Sequence, residues 1–265
     1  MKWRWILASP LVLMLLLGAT PIVLAQPGVS PEAEKIVQEM CDLLRSQGQF
    51  IYHAEVAYEK IGDDGAKVKS SFNSKTFVRR PDRLRVDATG QEVNKDLYFD
   101  GKMLTLHDKT DKVYGVIDVP DDIEGALDKA HKDFGLRVAL ADLASPKLGE
   151  LMLRQPHDSK YVGKETIRGI PCHHVELSRE DVQAQLWIDA GQDPLPRKVI
   201  ITHIGDPDGL QWTADLTGWD LDPKLADDVF IFTAPEGTQK IKFVPMEQVV
   251  DPQPDDLPGQ EGAQP

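Results

Sequence analysis

Seven histidines, two cysteines and 43 acidic residues are the side chains here that could hold a metal, move a proton or attack an electrophile. Spacing decides which of those chemistries is open. His173 and His174 are adjacent. On a strand, neighbouring side chains point to opposite faces, so the two do not converge on one ion. His53, His107, His131, His157 and His203 show no ligand spacing, and there is no HExxH. The histidines read as ordinary surface or core residues. The acidic pairs Asp63-Asp64, Asp121-Asp122 and Asp227-Asp228 suit solvated turns and helix starts. No serine sits in a GxSxG context, and neither a P-loop nor GxGxxG occurs. No catalytic residue, metal or cofactor is expected, and the chain does not read as an enzyme.

Cys41 and Cys172 are the only cysteines, and no CxxC supports a thioredoxin-like role. A bridge between them would close a long loop and, in the chain-entropy model, contribute about 5 kcal/mol. The alternative is two buried, unpaired thiols. Sequence does not bring the two Cα atoms together, so both readings stay open. Arg79-Arg80-Pro81-Asp82-Arg83-Leu84-Arg85 is the main basic cluster. Its plain reading is a solvated strand corner whose arginines pair with neighbouring carboxylates. Its functional reading is that one arginine ties a sheet to covering helices through hydrogen bonds.

The remaining candidates are apolar. Phe99, Leu104, Leu106, Leu186, Ile188, Val199, Ile201 and Trp212 alternate with polar neighbours along predicted strands. Packing under helices explains most such residues. The sharper expectation is that packing is incomplete and leaves a pocket for an apolar ligand.

These side chains need elements to position them. Ser30-Pro31 reads as a helix N-cap and first turn, with Ile36, Val37, Met40, Leu43 and Leu44 at helical spacing and Gly48 as the stop. Cys41 lies at the margin of that stripe. From Phe50 the period changes to two, and strands are predicted up to Val119, with turns at Gly62-Asp63-Asp64-Gly65 and Asp100-Gly101. Residues 121–155 predict three short helices, around Ile123–Ala130, Leu136–Leu143 and Leu148–Leu153. Strands return over Tyr161–Ile167, Cys172–Leu177, Gln183–Ile188, Lys198–Ile204, Gln211–Trp219 and Val229–Phe232. The predicted class is α+β, mainly β. An antiparallel sheet this large curls into an unclosed half-barrel, with the N-terminal helix and central helical block over its concave face.

The termini and charge narrow the function. Lys2 and Arg4, the apolar run Leu11–Leu17 and Ala19-Thr20-Pro21-Ile22-Val23-Leu24-Ala25 predict a secretory signal peptide over residues 1–25. Its unbroken apolar stretch falls short of the ~20 residues a membrane span needs. Cleavage leaves Gln26 first, where a bacterial lipid anchor needs Cys. The mature chain is expected to be soluble, periplasmic and a single domain over 26–246. A disordered acidic, Pro-rich tail over 247–265 follows. Removing the signal takes the net charge from −13 to −15. Such a protein repels nucleic acid and anionic membrane surfaces.

Several segments then carry a resemblance. They are Leu97-Tyr98-Phe99-Asp100-Gly101-Lys102, Phe134-Gly135-Leu136 with Leu140-Ala141-Asp142-Leu143, Tyr161-Val162-Gly163-Lys164-Glu165-Thr166, Gly169-Ile170-Pro171-Cys172-His173-His174, Gln185-Leu186-Trp187-Ile188-Asp189 and Pro194-Leu195-Pro196-Arg197-Lys198. Over about residues 33–244 the chain resembles domain of unknown function 2092, a family of predicted periplasmic proteins.

More distantly, the motif order is similar to that of the LolA family of periplasmic lipoprotein carriers. The matching features are an N-terminal amphipathic helix, a strand with His53-Ala54, Arg80-Pro81, Asp100-Gly101-Lys102 and Val229-Phe230-Ile231-Phe232-Thr233-Ala234-Pro235-Glu236-Gly237. That resemblance implies an unclosed β-barrel with a helical lid over an apolar cavity. It also implies that the arginine before the proline, Arg80 here, hydrogen-bonds to the lid. The block 121–155 departs from those carriers, as does Met103-Leu104-Thr105-Leu106 where they have aromatics. The implied ligand is therefore a lipid, acyl chain or other apolar molecule rather than a lipoprotein specifically. Related folds also imply an alternative, an envelope-stress regulator or scaffold binding a protein partner, with the tail from Glu247 as an interaction segment.

Overall fold

The computed structural model describes residues 28–62, 64–154, 158–205 and 208–245. The predicted signal segment and the tail over 247–265 lie outside the described residues. Helix α1 (Pro31–Ser46) leads into β1 (Gln49–Ile61), β2 (Lys67–Arg79), β3 (Arg83–Gly90), β4 (Asn94–Phe99), β5 (Met103–Asp108) and β6 (Val113–Asp118). The helical block follows as α2 (Ile123–Phe134), a 3-10 turn at Ala141–Ala144 and α3 (Leu148–Met152). Then come β7 (Asp158–Ile167), β8 (Ile170–Ser178), β9 (Val182–Asp189), β10 (Pro196–His203), β11 (Gln211–Asp220), a second 3-10 turn at Asp227–Phe230, and β12 (Gln239–Ile241).

The strands form one sheet in the order β12-β6-β5-β4-β3-β2-β1-β11-β10-β9-β8-β7. Two antiparallel meanders, β1–β6 and β7–β11, are joined where β11 lies against β1, with Ala54 opposite Leu216 and Val56 opposite Ala214. Strands β6 and β7 stand near opposite ends and do not pair, so the sheet stays open. The chain between them has to cross the sheet, and it crosses over one face as the helical block. Strand β1 shows how sequence selects that face. Phe50, Tyr52, Ala54 and Val56 are buried, whereas His53, Glu55 and Ala57 between them are exposed.

Local chemistry sets the helices. The Ser30 hydroxyl accepts from the Ala33 N–H at 3.3 Å, and Glu32, Glu34 and Arg45 suit the helix dipole. Helix α1 then buries Ile36, Val37, Met40, Cys41 and Leu44 against the sheet. Asp122 caps α2 through the Gly125 N–H at 2.8 Å, and Gly135 ends it at φ 67°.

Three elements differ from expectation. The helix predicted over Leu136–Leu143 is not formed: Leu136–Val138 is irregular, Ala139 and Leu140 form a turn, and the 3-10 turn follows. Leu136, Val138 and Leu140 instead pack on the core at every second residue, a spacing that helix and extended chain can share over so short a run. The strand predicted over Val229–Phe232 is the second 3-10 turn, lying against β3. Phe230 is fully buried there, and Phe232 fits among Tyr98, His107 and Tyr114 at ring distances of 5.4, 5.3 and 5.0 Å. Strand β12 carries no sequence signal of its own. It adds in parallel to β6, and the Phe243 ring covers Gly115, where a Cβ would approach it to 2.4 Å. At the opposite edge, the Ser159 N–H donates to Gly28 O and the Ser30 N–H to Ser159 O. Both ends of the sheet thus gain a short added segment, which limits open edge pairing.

Candidate functional site

Arg80 sits at the corner between β2 and β3. Its Nη1 donates to Leu44 O at 2.6 Å and Gln47 O at 2.7 Å, at the C-terminal end of α1. Its Nε donates to Ala144 O at 2.8 Å and Nη2 to Leu143 O at 3.0 Å, on the first 3-10 turn. The guanidinium stacks over Phe50, 5.1 Å from the ring centroid. Carbonyls at a helix C-terminus lack intrahelical donors and carry partial negative charge, so a cation suits them. Burial pulls the Arg80 pKa down to about 10, which still leaves a cation at neutral pH. The other arginines follow the plain reading. Arg79 pairs with Asp227, Arg83 with Asp82 at 2.6 Å, and Arg85 with Asp87 at 2.8 Å.

Two further ties join lid to sheet, and sequence reasoning missed both. Arg179, after β8, donates through Nη2 to Leu151 O at 2.6 Å and Met152 O at 3.2 Å, at the end of α3. The buried Tyr52 hydroxyl donates to Leu140 O at 3.3 Å, and burial raises its pKa. Leu140 itself has φ 60°, an uncommon conformation for a residue with a branched side chain.

Between lid and sheet lies a cavity of about 420 Å³. Leu186, Val199, Ile201 and Trp212 supply its sheet wall. Its lid wall comes from Met40 on α1, Leu140 and Leu143 around the 3-10 turn, and Leu148 and Met152 on α3. Helical periodicity predicts that such residues are buried but not that they face a void, so they were not singled out. Leu106 lines a separate space of about 120 Å³ under the segment Leu136–Ala139. Phe99, Leu104 and Ile188 lie elsewhere. All three are fully buried in the packed core and do not line the cavity. For them, close packing took the place of a pocket.

The cavity wall carries three charged residues. Arg179 and Asp181 stand at the exposed β8–β9 turn. Asp142 lies on the 3-10 turn and also lines a neighbouring space of about 440 Å³ beside α2. Asp142 is exposed to solvent, and partial desolvation by the surrounding protein raises its carboxyl pKa.

His173, His174 and both cysteines lie away from the cavity. The Tyr161 hydroxyl and His173 Nδ1 are 3.1 Å apart. His174 lies on the convex face, stacked on Trp187 at 4.2 Å, with Nδ1 2.8 Å from Glu165 Oε1 and Nε2 3.1 Å from Gln185 Oε1. The Trp187 N–H, followed by His174, holds the Glu165 carboxyl below its ordinary range. Among the described residues, no group of three His, Cys, Asp or Glu is placed to hold a metal. Both cysteines are free and buried. Cys41 faces the core, its Sγ 4.0 Å from Met152 Sδ. Cys172 shares the convex face with Asp189, and its thiol donates to Ile170 O at 3.4 Å. The sheet separates the two, so the bridge that the sequence allowed is not formed.

No curated protein matches the chain. Three solved structures illustrate the overlap. LprF from Mycobacterium bovis is 14% identical, covering 80% of this chain and 99% of that one, with a TM-score of 0.46. A LolA superfamily protein from Nitrosomonas europaea is 13% identical, covering 76% and 97%, with a TM-score of 0.36. The MucA/MucB complex of Pseudomonas aeruginosa matches at 14% identity, covering 77% and 62%, with a TM-score of 0.42. These overlaps are loose, and the half-barrel assignment stands on sheet order and lid placement instead. Among the described residues, no helix is long and apolar enough to cross a membrane. A family profile described as "Predicted periplasmic protein (DUF2092)" matches residues 33–244. That description gives the compartment expected from the N-terminal segment, and the chain belongs to this family of periplasmic proteins.

Proposed function

We propose that the protein is a non-catalytic periplasmic binding or carrier protein for a lipid, acyl chain or other apolar molecule. The observation that carries this reading is the cavity of about 420 Å³ left between lid and sheet. Cores otherwise pack with few voids larger than a water molecule, so a space this size has a use or a cost. Its volume falls within the ~300–1,000 Å³ typical of small-ligand sites, and its lining is mostly aliphatic and aromatic. Arg80, Arg179 and Tyr52 hold the lid by hydrogen bonds to backbone carbonyls, which leaves the lid side chains free to line the cavity. Arg80 is the proposed lid-locking residue. Leu186, Val199, Ile201 and Trp212 are the proposed contacts from the sheet.

Organic-solvent extraction of protein purified from the periplasm, followed by mass spectrometry, tests the reading. A lipid-like molecule at near-equimolar ratio is the expected result. An empty extract, together with no uptake of apolar molecules by the delipidated protein, overturns it. A stoichiometric envelope protein recovered without lipid would favour the partner-binding alternative.

A further inference from the structure

We infer that the cavity is a blind-ended slot for one acyl chain of about 10–14 carbons, entered tail-first, rather than a site for a two-chain lipid. This rests on the cavity binding an apolar chain, as proposed above.

The slot has a rim and a floor. Its sheet wall is built of cross-strand rows. Ala184, Ile201 and Trp212 form one row, and Leu186, Val199 and Ala214 form the next. Exposure falls in the same direction on all three strands: the first row is half-buried and the second is buried. One step further, Ile188 opposes Pro196 and is fully buried, as is Leu216 on β11. One step the other way, Val182 opposes the exposed His203. The slot is therefore open beside the β8–β9 turn and closed towards Ile188. The exposed Arg179 and Asp181 stand at the open end. A hydrocarbon tail gains by entering first, while the polar end of the ligand stays hydrated at that turn.

Two measures give the chain length. Val182 to Leu186 is a run of four strand steps, about 13 Å at ~3.3 Å each. An alkyl chain with bonds near 1.5 Å and tetrahedral angles advances ~1.25 Å per carbon, so that depth takes about 10 carbons. A methylene fills roughly the share of liquid volume that a water does, ~30 Å³, so 420 Å³ holds on the order of 14.

A second chain has no slot of its own. The Tyr52 hydroxyl holds Leu140 O against β1, in the middle of the sheet, and Leu140 lines the main cavity. On the other side of that contact, under Val138 and Ala139, the space is about 120 Å³, room for on the order of four methylenes. The space beside α2 is bordered by Glu124, Asp128, His131 and Arg137, which do not suit a hydrocarbon.

The test is a series of straight-chain carboxylates shorter than, within and beyond this range, each below its micelle concentration. Their affinities for the delipidated mature protein are measured by calorimetry. Affinity should rise about fourfold with each added methylene, the transfer free energy of one CH₂, and level off at about 10–14 carbons. A two-chain phospholipid should bind no more tightly than the one-chain phospholipid of the same head and acyl length, both kept monomeric. Val199→Phe, which fills the deeper row, should move the levelling point to shorter chains and leave the shortest members unaffected. Affinity that keeps rising past this range, or tighter binding of the two-chain phospholipid, overturns the inference and leaves the binding reading intact. An unmoved levelling point in folded Val199→Phe also overturns it. Failure of every member to bind defeats the binding reading itself, and the inference with it. The wild-type series decides even if the variant does not fold.

Discussion

Arg80 and Asp142 are opposite cases of a charge at the lid, one half-buried and one exposed. Arg80 meets four carbonyls that need a cation, whereas the Asp142 carboxyl meets no donor. Arg80→Leu leaves those carbonyls unsatisfied and should lower stability by about 2–4 kcal/mol in denaturant unfolding. It should also speed hydrogen exchange across residues 121–155, and unchanged exchange there would contradict the lid-locking role. For Asp142 the sign runs the other way. Its raised pKa means that the folded protein holds the proton more tightly than the unfolded chain. The stability it contributes is full below the unfolded pKa and is lost as pH rises through the raised folded value. Asp142→Asn should flatten that part of the pH–stability curve. A wild-type-to-variant difference that stays constant between about pH 3 and pH 7 would contradict the shift. The thiols give a third check. Burial pushes Cys41 up to about 12 and raises Cys172. Native protein should therefore resist alkylation, whereas unreduced, denatured protein should take two labels. A denatured chain that takes none would mean a bridge.

The elements were legible where a local signal and the tertiary demand agreed. Helix α1 followed from Ser30-Pro31 and its apolar stripe, and β1 from strict alternation. Arg80 was legible through its position before a proline in a motif order shared with a known fold. Legibility failed where the demand was nonlocal. Leu136–Leu140 is irregular and ends in a turn because it packs on the core through Leu136, Val138 and Leu140, and its own residues fit two periods. Strand β12 is three residues long and exists through its pairing with β6. Four of the eight named apolar residues, Leu186, Val199, Ile201 and Trp212, line the cavity, for a related reason. Alternation says which face a residue joins. It does not say whether the partner across that face is a side chain, as for Phe99 and Ile188, or a void, as for Val199 and Trp212.

At the scale of the whole molecule, topology explains why a cavity exists. The helical block must link strands at opposite ends of a curled sheet, so few residues cover a wide concave face. Coverage is tight over β4–β5, where Phe99 and Leu104 are fully buried, and loose over β8–β11. Ala184 lies in that loose region, opposite Leu177 on β8 and Ile201 on β10. Ala184→Trp should fill the space without touching Arg80, which does not line it.

Titration of the delipidated protein with an environment-sensitive apolar dye is the most direct test of the binding claim. The account predicts saturable, one-to-one binding by the wild type and at least tenfold weaker binding by Ala184→Trp, roughly the 1.4 kcal/mol that a filled pocket readily removes. Absence of saturable binding by the wild type, or equal binding by a folded Ala184→Trp variant, would contradict it.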